Sequence, residues 1–142
     1  MKKIFFVIFL SLSLFGNNLS SLKAKIIQNI ANIFTNKGMI KIYNTDHYFD
    51  DIFKNDKYLI KVNSYDKADL ILTNNSDFFK QINNKYNLPP IISTKYEDYK
   101  KHKDLDIGAF FWQKGRPNLV LNSKIIHKRY KNIPKEYIKF LE

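Results

Sequence analysis

The chain offers three histidines, thirteen acidic residues and no cysteine, which narrows its chemistry at once. His47, His102 and His127 form no His–His or His–carboxylate pair at a metal-ligand spacing. Each lies in a polar, lysine-rich stretch and reads as solvated surface rather than as a zinc or copper ligand. Thiol catalysis, thiolate metal sites and disulfides are excluded outright. Asp46, Asp50 and Asp51 cluster at one helix start. Carboxylates there complement the helix dipole and cap free N–H groups, a simpler role than general acid–base work. Asp69 opens the apolar run ADLILT, at the amino end of a strand, and reads as structural. Thr73, Asn74 and Asn75 follow the same run at its carboxyl end, where open α/β sheets bind ligands. They are the candidate contacts for a small ligand, although a helix cap accounts for them equally well. There is no GxGxxG or Walker pattern among only four glycines, and no serine stands in a nucleophile elbow. No residue set supports an enzymatic reaction or a cofactor.

The richest segment is Gly108–Leu119, GAFFWQKGRPNL, with the only tryptophan and one of two arginines. Aromatic residues and arginine are enriched where proteins bind one another. Alternation along a strand puts Phe110 and Trp112 on one face and Phe111 on the other. Phe110, Trp112, Lys114 and Arg116 are therefore the candidate interaction surface. The alternative is that both faces are covered and Arg116 only decorates a turn.

These residues must be held by elements that the periodicity marks out. Lys25–Thr35 carries apolar residues at helical spacing and ends on Asn36-Lys37-Gly38. Met39–Tyr43 reads as a strand, and Asn44-Thr45-Asp46 as a cap for a helix carrying Tyr48, Phe49, Ile52 and Phe53. Tyr58–Val62 is a second strand. Ala68–Thr73 is nearly all apolar, as a central strand covered on both faces requires. A helix with Phe78, Phe79, Ile82 and Tyr86 follows, stopped by Leu88-Pro89-Pro90. Ile91–Thr94 is a strand and Tyr96–His102 a short helix. Ile107–Gln113 and Asn118–Asn122 form a hairpin around Lys114-Gly115-Arg116-Pro117. Ser123–Tyr130 and Pro134–Leu141 close the chain as helices. Alternating helices and strands followed by a hairpin predict an α/β three-layer sandwich, with a mainly parallel sheet and a C-terminal antiparallel hairpin.

The N-terminus reads as an export signal. Lys2 and Lys3 precede the apolar run Ile4–Phe15, Gly16-Asn17-Asn18 break it, and Ala24 offers a small residue for cleavage. About a dozen apolar residues fall short of the roughly 20 that span a bilayer. An uncleaved anchor is the alternative. Leu22 stands where a small residue is preferred, so cuts near Gly16 or Ser21 compete with one after Ala24. The expected division is 1–24 as signal peptide and 25–142 as one small domain in the periplasm. The formal charge is +11, and +8 without Lys2, Lys3 and Lys23. Almost all of it is lysine. Arginine, the better reader of bases and phosphates, occurs only at positions 116 and 129, so nucleic acid is not an expected partner. Weak attraction to anionic lipid is compatible with this charge.

From the hairpin onward the chain resembles the YfiR-like periplasmic regulators. The shared order is a glycine-led strand (Gly108–Phe111), a basic turn with glycine (Lys114-Gly115-Arg116), a strand closing on asparagine (Leu119–Asn122) and terminal helices. Upstream, an N-terminal helix, a strand like Ala68–Thr73 and a short strand like Pro90–Thr94 follow the family's order. The family's cysteines are missing here. The resemblance implies a periplasmic protein that binds and restrains an inner-membrane signalling enzyme, typically one that makes cyclic di-GMP. ADLILT and the hairpin also look like pieces of one lobe of periplasmic solute-binding proteins, which implies a small ligand instead.

Overall fold

The computed structural model describes residues 5–6, 19–82, 87–130 and 133–142. Lys2, Lys3, most of the apolar run 4–15, the break at 16–18 and Tyr86 lie outside them. Seven strands are described: β1 (Phe5–Phe6), β2 (Ile40–Asn44), β3 (Leu59–Lys61), β4 (Leu70–Thr73), β5 (Ile91–Ser93), β6 (Gly108–Gln113) and β7 (Arg116–Leu121). The helices are α1 (Leu19–Phe34), α2 (Ile52–Asn55), α3 (Ser76–Ile82), α4 (Tyr96–Lys101) and α5 (Ser123–Arg129).

Strands β2 to β7 make a six-stranded mixed sheet, which the two-residue β1 extends at one edge. The order is β1-β7-β6-β5-β4-β2-β3. Pairs from β3 to β6 are parallel, and β6–β7 is an antiparallel hairpin in register Phe110↔Leu119. Strand β4 shows why its sequence is apolar throughout. Leu70 and Leu72 face one layer and Ile71 the other, and all are fully buried. On the first face, Ile26, Ile27 and Ile30 of α1 pack with Phe49, Ile52, Ile126 and the sheet. On the second, Phe78, Phe79 and Ile82 of α3 cover Ile71 and Ile91, while Tyr99 of α4 covers Ala109, Phe111 and Val120. The molecule is thus the three-layer α/β sandwich that the alternation of elements predicts.

Three boundaries differ from the sequence reading. Helix α1 is described from Leu19 onward, so residue 24 lies inside it. Ser20, Lys23, Ala24, Ile27, Ile30 and Ala31 are all buried, a continuous stripe at helical spacing that passes the exposed Lys25 on the helix's inner side. The helix expected after Asp46 splits into a 3-10 turn, His47–Phe49, and the four-residue α2. The segment expected as a closing helix is 3-10 over Lys135–Phe140. The hairpin turn is also tighter than expected. Only Lys114 (φ 52°) and Gly115 (φ 72°) lie outside the strands. Two successive positive φ values match the right-handed twist of the flanking strands, and glycine takes one without steric cost.

Candidate functional site

In the parallel part of the sheet the chain runs outward from β2 to β3, then returns to place β4 on the other side of β2. The carboxyl ends of β2 and β4 therefore form the switch point at which doubly wound sheets bind ligands. Thr45 and Asp46 follow β2, and Thr73, Asn74 and Asn75 close β4.

The hydroxyl groups there are committed to one another. Thr45 Oγ1 donates to Thr73 Oγ1 at 2.9 Å, and Thr94 Oγ1 donates to Asp46 Oδ2 at 2.6 Å. Thr73 Oγ1 accepts the Asn75 N–H at 3.1 Å, and Asn75 Oδ1 accepts the Asp77 N–H at 2.9 Å. Thr73 is fully buried. Thr73 and Asn75 thus act as turn and cap groups for α3, which is the structural account of these residues. Asp46 caps the 3-10 turn by accepting the Tyr48 N–H at 2.9 Å. Asp50 binds Lys61 at 3.1 Å and accepts from His47 Nδ1 at 2.8 Å. The hydrogen bond from His47 is the main cause that holds the Asp50 carboxyl below its usual range. Asp69 accepts from Lys37 at 2.6 Å and from the Lys41 N–H at 2.9 Å, a brace at the amino end of β4.

One carboxylate in this region is not fully used. Asp98, in the first turn of α4, is 7% exposed and accepts from Ser76 Oγ at 2.8 Å through Oδ1. Its Oδ2 is buried and has no hydrogen-bond partner among the described residues. In sequence Asp98 stands in the charged stretch YEDYKK, and nothing there signals burial. Asp106 was equally illegible. It is fully buried beneath the hairpin, bonded to the Ser93 hydroxyl and to the Gly108 N–H at 3.3 Å. Burial raises its carboxyl well above the usual range. His102 corrects the surface reading given to all three histidines. Its ring stacks on Phe79 at 4.1 Å and 8°, with Nε2 buried. His47 and His127 are exposed.

The hairpin residues divide. Phe110 is 0% exposed and packs against Phe49 at 5.9 Å, so it belongs to the core and not to an interaction surface. Phe111 is buried on the opposite face against Tyr96. Trp112 is half-buried, while Lys114 and Arg116 are exposed at the tip. Trp112 meets Tyr48 edge-on at 6.1 Å, and Tyr48 is 45% exposed. Sequence reasoning missed Tyr48, because only the tertiary fold brings it beside the hairpin. The tip also borders a concavity of about 390 Å³ lined by Gln113, Lys114, Arg116 and Asn118. Two of its four lining residues are cationic.

Among the described residues no group of three or more His, Asp or Glu could hold a metal ion. No helix among them is long and apolar enough to cross a membrane. No family model, curated protein or solved structure matches the chain.

Proposed function

We propose that the chain is an exported, periplasmic interaction domain that binds and restrains an inner-membrane signalling enzyme. The observation that carries this reading is the patch at the hairpin tip. Trp112 and Tyr48 offer partly exposed aromatic area on one face of the hairpin, and on its other face Arg116, with Gln113 and Asn118, lines a concavity at the same tip. Aromatics and arginine are the residue types that supply binding energy at protein interfaces. The switch point is less suited to a ligand, because its hydroxyl groups are already bonded, Thr45 to Thr73 and Thr94 to the Asp46 carboxylate.

The test uses the tagged full-length chain carrying Trp112→Ala and Arg116→Ala together. Recovery of integral membrane proteins from detergent-solubilised inner membranes is measured by quantitative mass spectrometry. The reading expects a signalling enzyme, such as a diguanylate cyclase, to be enriched by the native chain and lost with the variant. Equal recovery by both removes the hairpin tip as the contact surface.

Asp98 supports a second reading, a small-ligand domain. Its buried, unpartnered Oδ2 near the carboxyl end of β4 would accept a hydrogen bond from an ammonium or hydroxyl group. A thermal-shift screen with amino acids, amines and divalent cations checks it. A ligand above its dissociation constant raises the melting temperature by mass action, and Asp98→Asn should abolish that shift.

A further inference from the structure

We infer that the seam between α1 and α2, together with the free edge of β3, is a surface that docks on anionic lipid. The inference goes beyond the protein partner proposed above and does not depend on it.

The seam is a concavity of about 590 Å³, where Lys25 of α1, Lys54 of α2 and Lys57 stand with Phe53, Asp56 and Tyr58. All three lysines are exposed. Elsewhere Lys23, Lys37, Lys61, Lys80 and Lys103 each have a carboxylate within 3.1 Å. Lys25, Lys54 and Lys57 have none among the described residues. The one carboxylate in the concavity, on Asp56, accepts the Tyr58 N–H at 2.8 Å. Three positive charges thus stand against one negative charge that is already hydrogen-bonded.

Apolar area adjoins this charge. Tyr58 is 43% exposed and carries the surface to β3, the last strand of the sheet. Met39 lies beside it across the β2–β3 pair, where the Ile40 N–H donates to the Tyr58 carbonyl at 2.8 Å. Met39 is 49% exposed, and Ile60, further along β3, is 37% exposed. Half of the six exposed large apolar side chains among the described residues therefore gather at this one edge. Docking on a bilayer surface draws on both features, through burial of apolar area and attraction of cations to anionic headgroups. Lysine suits that role. Its stem lies along apolar surface while the ammonium reaches outward, and its point charge fits scattered headgroups better than the paired oxygens of one carboxylate.

The test is partitioning of the full chain into vesicles of equimolar phosphatidylglycerol and phosphatidylcholine, against vesicles of phosphatidylcholine alone. The apolar run 4–15 is common to every variant, and the neutral vesicles measure its share. The native chain should prefer the anionic vesicles. Lys25→Gln, Lys54→Gln and Lys57→Gln together should cut that preference on the order of 100-fold, about fivefold for each lysine. Salt at about 0.5 M should suppress it as well, because exposed charges are screened. Lys95→Gln, Lys100→Gln and Lys101→Gln remove the same charge from α4, on the opposite layer, and should cost less than about tenfold. Both triple variants should keep the native melting temperature, since all six side chains are exposed. A native chain with no preference for anionic vesicles overturns the inference. Equal losses from the two triple variants also overturn it, because the charge of the whole chain would then be responsible. A chain that ignores the vesicles but dimerises through the β3 edge assigns the surface to a second copy and overturns it too. None of these outcomes bears on the pull-down from membranes, because the vesicles hold no protein.

Discussion

Asp106 gives the domain a pH dependence that one substitution should remove. Its carboxyl is fully buried under the hairpin, and burial, with a smaller contribution from the charge of Asp98, raises it well above the ordinary range. Below about pH 4 both the folded and the unfolded chain hold this proton, and the group adds no pH dependence. Above that, the unfolded chain releases the proton while the folded one keeps it. Folding then takes up one proton, so stability falls by about 1.4 kcal/mol per pH unit until the native carboxyl itself ionises. Asp106→Asn does not titrate. Its carbonyl still accepts the Gly108 N–H, seen at 3.3 Å, and its amide donates towards the Ser93 hydroxyl. The backbone carbonyl that receives Asn122 Nδ2 at 3.1 Å is untouched. Urea unfolding followed by Trp112 fluorescence at pH 4, 5, 6 and 7 measures both proteins. We expect them to be of similar stability at pH 4. The variant should then pull ahead by about 1.4 kcal/mol for each unit between there and the native value. Parallel pH profiles would refute the argument, as would a variant that loses ground with rising pH.

Other perturbations follow from the same geometry. A Cβ on Gly108 would lie 2.3 Å from the Val120 carbonyl oxygen, so Gly108→Ala should cost about 1–3 kcal/mol or more, seen as a lower melting temperature. Thr45→Val and Thr73→Val should each cost about 1–3 kcal/mol, because each strands a polar partner. The double variant should cost less than the sum, and additive values in a double-mutant cycle would deny the bond between the two hydroxyls. The ammonium of Lys23, whose side chain is 3% exposed, lies 2.8 Å from Asp51 Oδ1 and donates to the Tyr48 carbonyl, so Lys23→Met should destabilise by about 1–3 kcal/mol and shift the Trp112 emission through Tyr48; a native spectrum with native stability would deny that contact.

The layering was legible in the sequence because burial on both faces leaves an uninterrupted apolar run, as in Leu70–Thr73, and burial on one face leaves a helical stripe, as in Ile26–Ala31. The hairpin was legible because glycine at the turn and alternation on either side are local signals. The capping roles of Asp46 and Asn75 were legible for the same reason, since a cap reaches only two or three residues along the chain. The start of α1 was not. Ser20 and Lys23 lie inside the stripe, and the burial of Lys23 depends on Asp51 and Tyr48, well over twenty residues away.

Sequence alone therefore determined the order of the strands from β2 onward and most of the helices between them, through periodicity and turn chemistry that act over a few residues. Tertiary structure decided which polar groups are buried and with whom. It sank Phe110 and Asp106, paired Thr45 with Thr73, and brought Tyr48 to Trp112. A charged or aromatic side chain has no local sign of its surroundings. Its hydration is set by partners that only the folded sheet and its two covering layers bring within a few ångströms.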